Sequence, residues 1–401
     1  MGYMQVAISV LGRFHAFDLA RELARRDALG QLITSYPAYF PREKFSIRAE
    51  SLTTAPWIEL LRRGFAKIPS SMKHVWDGEV EMALLFDRWA ALSLRPEQEV
   101  FVGWSGGALH SIERAKSLGM TTVLERGSAH ILQQVEGLQE EYAKRGLRYD
   151  ETPREVIEKE LLEYEASDFV CVPSQFAYRT FLEKGFPKEK LLVNPCGVNL
   201  QLFQPHPRRD DRFRVVFCGG VTILKGVPYL VEAFSKLKLP DSELVLIGNL
   251  SPKIAKWLQV KINENPNIKW IGVCPQDKLS EKLSQADLFC LPSIGDGFGM
   301  VVPQALASGV PVLTTHHVGA ADVIHEGVNG FVVRPMSEID LMEKIQWCYE
   351  HRSECRQMGI TAAQIAKSDL SWSAYGDRAF HLYQKIREGT ALETGVARIA
   401  S

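Results

Sequence analysis

Two glycine-rich stretches hold the residues best suited to chemistry. Residues 293–309 read SIGDGFGMVVPQALASG, and residues 218–226 read CGGVTILKG. In the first, Asp296 and Gln304 stand alone among small and apolar residues; the second ends in Lys225 and Gly226. Each begins where an apolar strand ends, DLFCLP (287–292) or RVVFCG (214–219), and leads into a helix. Pro303 fits a first helical turn, where the N–H it lacks would be unpaired anyway, and Gly309 fits the C-terminal cap. The amides of Gly299, Met300 and Val301 then face outward at the positive end of a helix dipole. Glycine lets a ligand come close to the backbone. The natural guest is an anion, above all phosphate, and Lys225 supplies a cation on the same cleft. A tight turn packing helix on strand is the plainer alternative. A nicotinamide-binding turn would need an acidic residue near the end of the next strand to hold a ribose. That strand ends Thr314, Thr315, His316, with no carboxylate.

These turns need strands and helices to hold them. Apolar runs without strict alternation recur: VAISVL (6–11), TTVL (121–124), DFVCVP (168–173), ELVLIG (243–248), IKWIGV (268–273) and VPVLTT (310–315). Such runs suit strands covered on both faces, hence parallel sheets. FDLARELARR (17–26) and the segment after Gly226, with Val227, Leu230, Val231, Phe234 and Leu237, have helical spacing. ASDFVCVPS (166–174) and QADLFCLPS (285–293) share Asp, Cys, Pro and Ser in register, which predicts two similar α/β units. The expected division is a Rossmann-like domain over 1–205 and a second over 206–368. A helix in 369–401 returns to the first domain and ends in a frayed tail. The polar, proline-containing NLQLFQPHPRRDD (199–211) is the linker. Ligands bind outside the carboxyl ends of strands in doubly wound sheets, so the cleft between the domains is the expected site.

Bulk properties narrow the class. The 401 residues are 46% hydrophobic and 24% charged, with a net charge of −1, which excludes a whole-molecule electrostatic nucleic-acid binder. No apolar run reaches membrane-spanning length, and the N-terminus has no secretory pattern. Seven scattered cysteines without a CxxC suit buried free thiols in a reducing cytosol. The paired His316 and His317 have no further ligands at metal spacing.

Together the two turns resemble glycosyltransferase family 4, retaining enzymes of the GT-B fold. Members carry a glycine, an arginine, a short spacer and Lys-Gly; here Gly219, Lys225 and Gly226 match, while Gly220 holds the arginine position. Members also carry an acid, GFG, and a second acid eight residues after the first. Gly297, Phe298 and Gly299 match, and the acid positions hold Asp296 and Gln304. FVCVPSQFAYRTFLEKGFPKEKLLVNPCGVNLQLFQP (169–205), GVNGFVVRP (327–335) and SWSAY (371–375) resemble further landmarks. The likeness covers about 155–385 well and the first 150 residues loosely.

The resemblance implies a nucleotide-sugar donor in the cleft between two facing Rossmann-like domains, transfer with retained anomeric configuration, and no divalent metal or other cofactor. Lys225 would stabilise the departing diphosphate, aided by the amides after Phe298. Asp296 would hold sugar hydroxyls, and Gln304 would take the ribose. Asn249 and Val273 would flank the base, and Gly12, in LGRFH, would approach the donor phosphates. The first domain would bind the acceptor hydroxyl. Glu125 or Arg126, with His130 nearby, takes roughly the place of a family histidine, and Arg126 is a candidate replacement for the cation missing at Gly220. A local Glu–Arg surface pair is the alternative.

Residues 41–75 carry Arg42, Lys44, Arg48, Arg62, Arg63, Lys67 and Lys73 among Trp57, Ile58, Leu60, Leu61 and Phe65. This reads as a solvated helix face or as a patch for anionic lipid at the membrane surface. Two other functions compete with transfer. One is sugar-nucleotide binding with weak catalysis, given Gly220, Asp296 and Gln304. The other is a different GT-B activity, such as an epimerase or a phosphorylase. A glycoside hydrolase would need two carboxylates flanking the bond, for which Asp296 and Glu125 are the candidates.

Overall fold

The computed structural model describes residues 4–66, 78–149 and 152–389. Lys67, Lys73 and the tail beyond 389 lie outside the described residues. The chain builds two parallel sheets. The first has seven strands: β1 (Val6–Val10), β2 (Leu29–Thr34), β3 (Leu52–Thr54), β4 (Val100–Trp104), β5 (Thr121–Glu125), β6 (Phe169–Val172) and β7 (Leu191–Val193). Their order is β3-β2-β1-β4-β5-β6-β7. The second has six: β8 (Phe213–Cys218), β9 (Ser242–Ile247), β10 (Ile268–Trp270), β11 (Leu288–Leu291), β12 (Val312–Thr315) and β13 (Gly330–Val333). Their order is β10-β9-β8-β11-β12-β13. Each chain path runs outward one way and then returns to the other side. This puts a switch point between β1 and β4 in one sheet and between β8 and β11 in the other.

Strands covered on both faces account for the continuous apolar runs. β1 and β4 are buried at every residue. One face of the first sheet packs under the helices Ala16–Ala24 and Trp372–Arg387, which contribute Phe17, Leu19, Tyr375 and Tyr383 to a shared core. The other face lies under Gly78–Ser93, Leu109–Ser117, Arg154–Ala166 and Gln175–Glu183. The second sheet and its helices form a separate core. The helix Trp372–Arg387 therefore packs on the first domain, held also by Arg26 on Asp377 (2.5 Å) and by Arg378 on the Pro195 carbonyl (2.7 Å).

The internal echo has a physical basis. Asp168 accepts from the Thr122 amide (2.9 Å) and Asp287 from the Arg214 amide (2.8 Å). Each aspartate thus ties the start of its own strand to the start of a neighbouring one.

Candidate active site

The loops after β8 and β11 leave adjacent strands at the second switch point, and close contact brings them together. Gly226 has φ +70°, and a Cβ there would lie 1.9 Å from the Pro292 carbonyl oxygen. Only glycine permits both the left-handed backbone and that approach. The Ile294 amide donates to the Leu224 carbonyl (2.8 Å), joining the loops again. The consequence is an ion pair between Lys225 Nζ and Asp296 Oδ2. The Asp296 backbone is fixed by its amide on the His317 carbonyl (2.9 Å) and by the Gly319 amide on its own carbonyl (2.9 Å). The following helix, Val301–Ala307, starts at Met300 without a side-chain cap, and Gln304 lies largely buried within it.

A cavity of about 1010 Å³ lies between the domains. Of the expected donor residues, Gly219, Lys225, Asp296, Phe298, Gly299, Met300, Val301 and Gln304 line it, and Glu125 and Arg126 line its first-domain wall. Gly12 does not, although Arg13, Phe14 and His15, which follow it, do. Asn249 and Val273 are exposed outside the lining, Val273 with 65% of its surface free. Gly297 is also absent from the lining because it serves the seam between domains. A Cβ at Gly297 would lie 2.2 Å from the Gly127 carbonyl oxygen, and its own carbonyl accepts from the Ser174 hydroxyl (2.7 Å). Beside it, the Gln175 amide donates to Asp322 (2.7 Å) and the Phe176 ring stacks on His317 with centroids 5.1 Å apart.

Two acceptor-side expectations need correction. His130 points into the first-domain core. It caps the helix Ile131–Lys144 by accepting from the Leu132 amide and packs against Tyr164 and Phe181. Burial, reinforced by the nearby Arg126 and Lys184 charges, pulls its imidazole down to about 4. Arg126 is committed within its own domain, to Glu160 (3.0 Å) and the Ala129 carbonyl (3.2 Å), so it is not a spare cation for the Gly220 position. Glu125 and Arg126 are no surface pair, since Glu125 is buried and faces His15 (3.6 Å).

Sequence reasoning passed over several cleft residues: His15, Asp18, Trp104 and Ser105. The signal for them was position, since His15 follows β1 and Trp104 ends β4, the two strands flanking the first switch point. The turn after β4 is held by Glu163, which accepts from the Gly106 (2.6 Å) and Ala108 (2.9 Å) amides. Burial pushes that carboxyl up to about 7. All seven cysteines are free, and all but Cys274 are buried. Among the described residues no helix is long and apolar enough to cross a membrane.

In the patch, Arg62 (3.1 Å) and Arg63 (2.8 Å) are both paired with Glu59. Trp57 and Leu60 are exposed, at 45% and 71%.

Two parallel-sheet domains meeting at a cleft lined by glycine turns and a lysine are the GT-B arrangement. The sucrose-phosphate synthase of Thermosynechococcus elongatus superposes with a TM-score of 0.67 at 17% identity, covering 96% of this chain and 100% of that one. The Anabaena HepE structure in complex with UDP gives 0.69 at 16% identity, covering 95% and 100%. Residues 199–365 match the family model described as glycosyl transferases group 1. The MMP alpha-(1->4)-mannosyltransferase of Mycolicibacterium hassiacum is 26% identical over 221 residues, 54% of each chain. The chain spans about half the length of the curated relatives it matches.

Proposed function

We propose that the protein is a retaining glycosyltransferase of family 4 that moves a sugar from a nucleoside-diphosphate donor to an acceptor hydroxyl, without a divalent metal. The observation that carries this reading is the meeting of Lys225 and Asp296 across two glycine turns at the second switch point. A diphosphate entering there meets an ammonium group and the free amides at the start of Val301–Ala307. These act on charge that grows as the glycosidic bond breaks, so they lower the barrier and do not merely tighten binding. Asp296 then orients sugar hydroxyls, and Gln304 hydrogen-bonds the ribose without adding a second negative charge. The acceptor hydroxyl attacks from the face the phosphate leaves, and a departing phosphate oxygen takes its proton. The protein works in the cytoplasm, with the face carrying Arg42, Lys44, Arg48, Trp57 and Leu60 turned to an anionic membrane surface.

UDP is the first donor nucleotide to test, because a structural neighbour is described with it. Calorimetry with UDP, GDP, ADP and dTDP should select one base, and its sugar conjugates should release nucleotide when an acceptor is present. Lys225→Ala should then lower turnover by about 2–4 kcal/mol in barrier height. Near-normal turnover would overturn the assignment. A donor-binding protein with weak catalysis is favoured instead if the nucleotide binds but no conjugate is consumed, as the Gly220 and Gln304 positions suggest.

A further inference from the structure

The first-domain wall of the cleft contains a carboxylate in an otherwise apolar row. Strand alternation places Glu125 on the same face as Val123, Val100, Val102 and Trp104, and that face is core under the helices Ala16–Ala24 and Trp372–Arg387. A buried carboxylate with a structural task is saturated with donors here. Asp87 accepts from the His110 amide and from both the amide and hydroxyl of Ser111, at 2.7–2.9 Å. Glu163 is bonded in the same manner. Glu125 is not. Its nearest basic side chain, His15 Nε2, is 3.6 Å away, and Oε1 is buried without a hydrogen bond of normal geometry, although the Cys171 thiol and Tyr383 hydroxyl lie beside the carboxylate. Leaving such a group unsatisfied is costly unless a ligand completes it.

An unpaired donor stands next to it. Trp104 Nε1 is buried and has no partner. Trp104 and Glu125 are register partners across β4 and β5, so their side chains leave the sheet side by side. Both line the cavity opposite the Lys225 loop. The His15 ring, edge-on to the indole with centroids 5.2 Å apart, forms a third side. A hydroxyl complements this set: it donates to the carboxylate while accepting from the indole N–H.

We infer that Trp104, Glu125 and His15 form the seat of an acceptor hydroxyl, and that the acceptor is a polyol or sugar entering the cleft hydroxyl-first. The inference rests on the glycosyltransferase reading. It assigns Trp104 and His15 to acceptor recognition on geometry alone and gives Glu125 a specific contact.

The test uses the full chain labelled with nitrogen-15, in which the Trp104 indole N–H signal is the one lost in Trp104→Phe. Glycerol, methyl α-glucoside and myo-inositol are titrated in the presence of the nucleoside diphosphate that binds. The Trp104 signal should move saturably with at least one polyol. Glu125→Gln should weaken that polyol about tenfold, because a neutral acceptor bonds less strongly than a charged one. Trp104→Phe, which lacks that signal and is read by calorimetry, should weaken it similarly, with nucleoside-diphosphate affinity intact in both variants as the check on folding. If Glu125→Gln does not fold, the wild-type signal and Trp104→Phe decide. A signal unmoved by all three polyols, or polyol affinity unchanged in Trp104→Phe, overturns the seat while the donor-site reading stands. Failure of every nucleoside diphosphate to bind overturns that reading and the seat with it.

Discussion

Asp296→Asn should separate donor binding from transfer. In the structure the Lys225 ammonium is already engaged by Asp296, with the two side chains 26% and 15% exposed. A diphosphate must draw Lys225 away from that partner. A partly exposed ion pair is worth about 1 kcal/mol, so removing the competition should tighten nucleoside-diphosphate binding roughly fivefold. Losing a negative charge beside an anionic ligand acts in the same direction. Transfer should move the other way. An ionised acid holding a sugar hydroxyl contributes about 1.5–3 kcal/mol, so kcat/KM should fall roughly 10- to 100-fold. The assay is calorimetry with the preferred nucleoside diphosphate alone, paired with nucleotide release from its sugar conjugate. Opposite signs in the two measurements are the expected signature. A diphosphate affinity that is unchanged or weaker in Asp296→Asn would refute the idea that the acid competes for Lys225.

Other tests address stability and surfaces. The His130 imidazole sits at about 4 in the fold against 6.5 ordinarily, so between those values the unfolded chain binds a proton that the folded one does not. Its contribution is complete above the upper value and is lost as pH falls toward the lower. His130→Asn keeps a capping oxygen but should flatten the pH dependence of the urea midpoint; parallel profiles would exclude this account. Gly297→Ala puts a methyl group against the Gly127 and Ser128 backbone. It should enlarge the radius of gyration in solution scattering and reduce transfer, and identical scattering curves would count against a closed seam. Sedimentation with anionic vesicles at low salt should exceed that with zwitterionic ones and fall in Leu60→Asp; equal recovery on both vesicle types would remove the membrane face.

The fold was legible where chemistry and packing coincided. β1, β8, β11 and β12 are mostly apolar runs closed by turn residues, and β11 and β12 flank the loop that carries Asp296. β2 escaped because Gly30 and Gln31 interrupt it; Gln31 is buried but satisfied by Thr53 (2.9 Å) and the Ser93 carbonyl (2.8 Å), pairings no local pattern reveals. β3 and β7 are three residues each, too short for periodicity to register. The Lys225 and Asp296 side of the cleft was readable because its residues lie in two short contiguous loops. On the facing wall Glu125 was named from the sequence, but His15 and Trp104 were not, because they leave separate strands that only the sheet order brings together. His130 misled because a histidine just past a strand end looks available, while capping a helix turns it inward.

The hydrogen bond from Ser174 to the Gly297 carbonyl crosses from one domain to the other within the loop that bears Asp296. A mutational map of donor affinity should therefore ignore the domain boundary: Ser174→Ala belongs among the donor-site variants although Ser174 lies in the first domain. It also bears on how the protein is dissected. A fragment ending short of the first domain would keep Lys225 and Asp296 yet present their loop with that carbonyl unpaired, so its nucleotide affinity would underestimate that of the whole chain.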